Sequence, residues 1–119
     1  MDYISTNLWL KSELDLHELC KLIQEQFNLN PFDLDAENLY EWGEAIAQDG
    51  SWTINISRKH DFSEPLPNEP YHVLFGGTPP ALDNLAQQIA TVTRCKVHLG
   101  KIKYIGGDDY EYFSTASYR

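Results

Sequence analysis

Between Tyr3 and Leu10 the side chains alternate: Ile4, Leu8 and Leu10 fall on one side with Thr6, and Tyr3, Ser5, Asn7 and Trp9 on the other. A period of two predicts a strand. The period then lengthens. Leu16, Leu19, Cys20, Ile23 and Phe27 recur at helical spacing and form one stripe. Ser12 or Asp15 is placed to cap this helix, with Asp15 and Glu18 spaced as a capping box, and Asn28 and Asn30-Pro31 end it. Residues 30–38 read as an acidic loop. A short strand over Leu39–Ala47 follows, and Asp49-Gly50 signals a hairpin turn. Ser51–Ser57 is the clearest strand, with Trp52, Ile54 and Ile56 on one face. Residues Lys59–Pro70 hold three prolines and no period, and read as a surface loop.

The second half repeats the order. Tyr71–Phe75 predicts a strand, and Gly76-Gly77-Thr78-Pro79-Pro80 turns into a helix with Thr78 as N-cap. Leu82, Leu85, Ala86, Ile89 and Val92 supply its apolar stripe. Cys95–Ile105 reads as a long strand with an irregularity at Gly100. Gly106-Gly107-Asp108-Asp109 is a turn, and Tyr110–Tyr118 a last aromatic strand. Six strands and two helices in two βαββ-like halves predict a single α+β domain over residues 1–119. Its expected form is a mostly antiparallel sheet with both helices packed on one face.

Charge changes the picture. The chain has 119 residues, 18 Asp+Glu against 9 Lys+Arg, and a net charge of -9. Residues 1–50 hold eleven of the acids and only two bases, Lys11 and Lys21, while residues 51–119 balance seven against seven. No base occurs between Lys21 and Arg58. Such a balance opposes direct nucleic-acid binding, which needs clustered Lys and Arg, and opposes docking on an anionic membrane. It favours a basic partner or a cation. The simpler alternative is an acidic surface that serves solubility.

Motifs for chemistry are sparse. Cys20 and Cys95 form no CxxC or Cys/His ladder, and a buried thiol is the expectation for Cys20 on its apolar helix face. His60-Asp61 is a loop pair with a conceivable general-base role, but such pairs are usually incidental. Cys95 and His98, three apart in a strand, point to opposite faces, which argues against a thiol nucleophile. Gly76-Gly77-Thr78 lacks the phosphate-loop and dinucleotide spacings and reads as a strand-to-helix turn. Asp33, Asp35 and Glu37 alternate like calcium ligands, yet Asn38 stands where an EF-hand loop needs glycine. No metal, cofactor or catalytic group is therefore assigned. No basic leader with an apolar core and no run of about 18 apolar residues is found, so a cytoplasmic protein is expected.

The remaining feature is the stretch Asp33, Asp35, Glu37, Tyr40, Glu41, Trp42, Glu44 and Asp49. If Leu39–Ala47 is a strand, Tyr40, Trp42 and Glu44 share a face opposite Glu41 and Gly43. Aromatics among carboxylates suit a protein interface, the rings as anchors and the acids as steering and pairing groups. Asp108, Asp109 and Tyr110 form a second candidate patch. The segment Asp33-Leu34-Asp35-Ala36-Glu37-Asn38-Leu39-Tyr40-Glu41-Trp42-Gly43-Glu44, in a small acidic chain without catalytic motif, resembles the immunity proteins of bacterial toxin–immunity systems, such as contact-dependent growth inhibition and related polymorphic toxins. The resemblance implies binding to a cognate toxin domain, often a basic nuclease, whose active site an acidic surface would occlude. Two other classes stay open: a small intracellular enzyme with a His/Asp site, and a non-catalytic adaptor domain.

Overall fold

The alternation over residues 3–10 forms strand β1 (Tyr3–Leu10), and the helical stripe forms α1 (Leu16–Phe27). In this computed structural model residues 3–37, 40–59, 71–106 and 109–118 are described, with backbone alone at 3–4, 40, 59, 104–106 and 109–115. The capping box of α1 is complete: Glu18 N–H donates to Asp15 Oδ1 at 2.8 Å, and Asp15 N–H to Glu18 Oε1 at 3.3 Å. Asn28 closes the helix in the left-handed region (φ 53°), and its N–H donates to the carbonyl of Gln24.

The predicted acidic loop is instead a strand. Asp33–Glu37 forms β2, paired antiparallel with β3 (Tyr40–Ile46). Three acids in five residues run against strand propensity. An edge position overrides that, because β2 is fully exposed and charged side chains there face water. The sheet therefore has seven strands rather than six. The others are β4 (Trp52–Lys59), β5 (Tyr71–Gly77), β6 (Val97–Gly106) and β7 (Asp109–Tyr118), in the order β2-β3-β4-β5-β1-β6-β7 with every pairing antiparallel.

The two βαββ halves interlock rather than sit side by side. The first strand of each half, β1 and β5, lies between its counterpart and a strand of the other half's hairpin. Glycine shapes two joints. At the β3–β4 turn Gly50 takes φ 76°, its N–H donates to the Ala47 carbonyl, and Asp49 Oδ1 accepts from both Ser51 N–H and Ser51 Oγ. At the end of β5, Gly77 takes φ 72° and Thr78 N–H donates to the Ser51 carbonyl at 2.8 Å.

The second helix starts later than predicted. Its first bond runs from Leu85 N–H to the Ala81 carbonyl, so α2 spans Leu82–Thr93 with Ala81 as an N-cap that makes no side-chain bond, and Thr78 lies too far upstream to cap it. The strand predicted to begin at Cys95 begins at Val97, and its register shifts at Leu99/Gly100 as expected.

Both helices cover one face of the sheet. Helix α1 lies over β3 and β4, and α2 over β6 and β7. Between the layers Leu19, Cys20, Ile23, Leu85 and Ile89 meet Leu8, Leu10, Ile54, Ile56, Tyr71, Val73 and Val97. The Tyr71 hydroxyl, inside this layer, donates to the Leu14 carbonyl at 2.6 Å. No described helix is long and apolar enough to cross a membrane.

Candidate partner-binding face

Directly opposite residues on paired strands point to the same side of a sheet, so the registers map the helix-free face row by row. One row runs Asp33, Glu44, Asn55, Leu74, Asn7, Gly100. The next runs Asp35, Trp42, Ser57, His72, Trp9, His98, Ser117. Glu37 and Tyr40 begin a third, and Ile46, Thr53 and Gly76 make a fourth. Asp33, Asp35, Glu37, Trp42 and Glu44 are thus gathered on one side of one edge hairpin, with Tyr40 in register with Glu37.

The face has two zones. Along β2 and β3 it is acidic: Asp33, Asp35, Glu37 and Glu44 are all exposed, and none makes an ion pair with a described residue. Farther in, across β4, β5 and β1, the rows hold Thr53, Asn55, Ser57, His72, Leu74, Asn7 and Trp9, with no charge among them. Trp9 and Asn7 are buried on this side. Trp9 stacks on His72 with ring centroids 5.3 Å apart and planes 8° from parallel. Asn7 donates through Nδ2 to Ser5 Oγ at 3.0 Å and to the Ser5 carbonyl at 3.2 Å, which orients its amide. Its Oδ1 then accepts from His72 Nε2 at 2.8 Å. At the far end of the row Ser117 Oγ lies 3.2 Å from His98 Nδ1.

Several candidate residues belong elsewhere. Glu41 falls on the helix side, as its parity required, half-buried and 3.9 Å from Arg58, whose guanidinium lies 5.4 Å over the Tyr71 ring. Asp49 is committed to the β3–β4 turn. Asp109 and Tyr110 start β7, at the opposite edge of the sheet from β2. Six strand spacings of about 4.8 Å separate those edges, so the two acidic patches are not neighbours. Asp108 lies outside the described residues, as do His60 and Asp61.

The candidate chemistries separate too. His72 and His98 share the open face on either side of Trp9, whereas Cys95 lies ahead of β6 with Sγ donating to the Thr93 carbonyl at 3.3 Å. His17 shares an open cleft of about 470 Å³ with Asp15, Asp35 and Glu41, with no hydrogen bond between His17 and a described carboxylate. The hydrogen-bonded position of Asp15, chiefly the Glu18 N–H, holds its carboxyl below the ordinary value. A larger groove of about 620 Å³ runs between the two helices along Leu14, Leu22, Val92 and Cys95, and no histidine lines it. The calcium reading of Asp33–Glu44 meets a β-hairpin where an EF-hand needs helix, loop and helix. No cluster of three potential metal ligands occurs among the described residues.

Gly43 explains how the acidic hairpin attaches. A Cβ there would lie 2.7 Å from Leu34 Cδ2, 2.9 Å from Cys20 Sγ and 3.2 Å from Phe32 Cδ1. Its missing side chain leaves room for the ends of Leu34, Cys20 and Phe32 to lie against the β3 backbone, on the side of β2 opposite its acids. Sequence reading missed Ile46 and Leu74, two exposed apolar residues on the open face. Alternation from Trp42 and from Val73 held the signal for both. Comparisons of the chain with family models, with curated proteins and with solved structures find no match.

Proposed function

We propose that the chain is an immunity-type inhibitor that binds a basic toxin domain, a nuclease by preference, in the bacterial cytoplasm. The observation that carries this reading is the one-sided display of Asp33, Asp35, Glu37 and Glu44 around Trp42 on an exposed edge hairpin. A nuclease groove is built to receive phosphates, and a row of carboxylates offers it the same charge. Exposed charges of one sign also speed encounter with a basic partner. The resemblance in size and acidity to small immunity proteins supports the same class. The test is co-purification and activity titration with the toxin domain encoded beside this chain's gene. A stable complex with loss of toxin activity is expected; no complex and full activity overturn the reading.

A second reading, a small enzyme, draws on the cleft where His17 meets Asp15, Asp35 and Glu41. Its residues are solvated, and no hydrogen bond orients the imidazole toward a described carboxylate, so general-base chemistry lacks its geometry. Under the inhibitor reading His17→Ala leaves toxin neutralisation unchanged.

A further inference from the structure

We infer that the basic partner seats on the helix-free face of the sheet, at its β3–β5 side, as well as along its acidic edge, with Ile46 and Leu74 as the apolar anchors. This deepens the inhibitor reading and rests on it. Among the described residues three large hydrophobics are exposed, Leu34, Ile46 and Leu74, and the last two stand on this face at 49% and 38% exposure. Between them β4 and β5 present only Thr53, Asn55 and Gly76, short or absent side chains. A Cβ on Gly76 would lie 2.6 Å from Thr53 Oγ1, so the Thr53 hydroxyl fills the space over Gly76 and keeps the surface between the two anchors short and polar. On β3, Glu44 stands between Ile46 and Trp42 on this same face.

An uncharged centre with apolar anchors and a charged flank is the anatomy of a specific interface. The flank is one-sided, since the acids lie along β2 and β3 and no charged residue occupies the rows on β4, β5 and β1 between Thr53 and Ser57. The matching surface therefore carries apolar side chains to meet Ile46 and Leu74, and lysines or arginines on the side that meets β2. A second copy of this chain is the wrong occupant, because association would bring together two molecules of net charge -9.

The experiment measures binding of the toxin domain to Leu74→Arg, Ile46→Arg and, as a control of equal charge change on the exposed surface of α2, Asn84→Arg. Circular dichroism verifies that each variant is folded. The two face variants should raise Kd by about tenfold or more, mainly through faster dissociation, and the control should stay within about twofold. Wild-type binding that Leu74→Arg and Ile46→Arg leave untouched, while Glu44→Gln slows association, overturns this inference and leaves the inhibitor reading intact. Failure of the wild-type chain to bind overturns both. Sedimentation of the chain alone should show a monomer; a dimer dispersed by Leu74→Arg would assign the face to a second copy and also overturn the inference.

Discussion

Asp33 stands directly opposite Glu44 in the β2–β3 register, so two carboxylates face each other on the open side of the sheet. Like charges in that relation destabilise a strand pair, and β2 has no other neighbouring strand to compensate. A partner lysine or arginine set between them would turn repulsion into two attractions. Glu44→Gln and Asp33→Asn should therefore each stabilise the free chain, by roughly 0.2–1 kcal/mol. The same changes should slow association with the basic partner. Urea unfolding and stopped-flow binding measure the two halves, and the stability gain should shrink as salt screens the pair.

Gly43→Ala tests the attachment of the edge hairpin. The added methyl meets Leu34, Cys20 and Phe32. Overpacking of this kind costs about 1–3 kcal/mol. Unfolding should show that loss, and hydrogen exchange should place it at β2 first, since Leu34 is the outermost of the three and the freest to leave.

Acid should weaken the fold through two turns. The Glu18 N–H depresses the Asp15 carboxyl, and the Ser51 hydroxyl, with its N–H, depresses that of Asp49. Each group binds its proton more readily when unfolded, so its contribution is complete above the ordinary carboxylate range of about 4 and fades as pH falls through the lowered folded value. Thermal melts between pH 2 and 6 should fall toward the acid end. Ser51→Ala should flatten the Asp49 part of that fall, and Asp15→Ala should remove the Asp15 part along with the helix cap.

The two thiols should react in order. Burial, and then the nearby Glu41 carboxylate, push the Cys20 thiol up to about 12. At pH 8 roughly one molecule in ten thousand would carry that thiolate. Cys95 is half-exposed and outside the core layer. A disulfide-exchange reagent should label Cys95 first and reach Cys20 only on unfolding. Equal rates in the native protein would contradict the packing around Gly43.

Most of the fold was legible because its strands and helices carry clean periods. Trp52, Ile54 and Ile56 needed only their alternation, and Asp15 with Glu18 needed only their spacing. β2 was not legible as a strand, because a short acidic segment after Asn30-Pro31 has the composition of a loop, and what makes it a strand is pairing to Tyr40–Ile46. Thr78 misled because the Thr-Pro-Pro sequence has the look of a cap, while Pro79, Pro80 and Ala81 all precede the first turn of α2. For the site, the alternation placed Tyr40, Trp42 and Glu44 together and Glu41 apart. It gave no means of adding Asp33 and Asp35 to that face, or of bringing Leu74 beside Glu44, because strand order is a property of the whole chain.

Strand β1 has consequences for how the molecule is made. It precedes every other described strand in the chain, yet both its neighbours, β5 and β6, come from the second half, and its nearest pairing joins Leu10 to Tyr71. Strands β2 to β5, by contrast, follow one another in the sheet as they do along the chain. Closing the long loop to β1 is the slow part of such a topology. A nascent chain would thus hold Asp33–Ile46 as part of a growing meander while Trp9 still waits for His72, and a chain cut short before β6 would carry the acidic hairpin on a sheet in which β1 is left as an open edge.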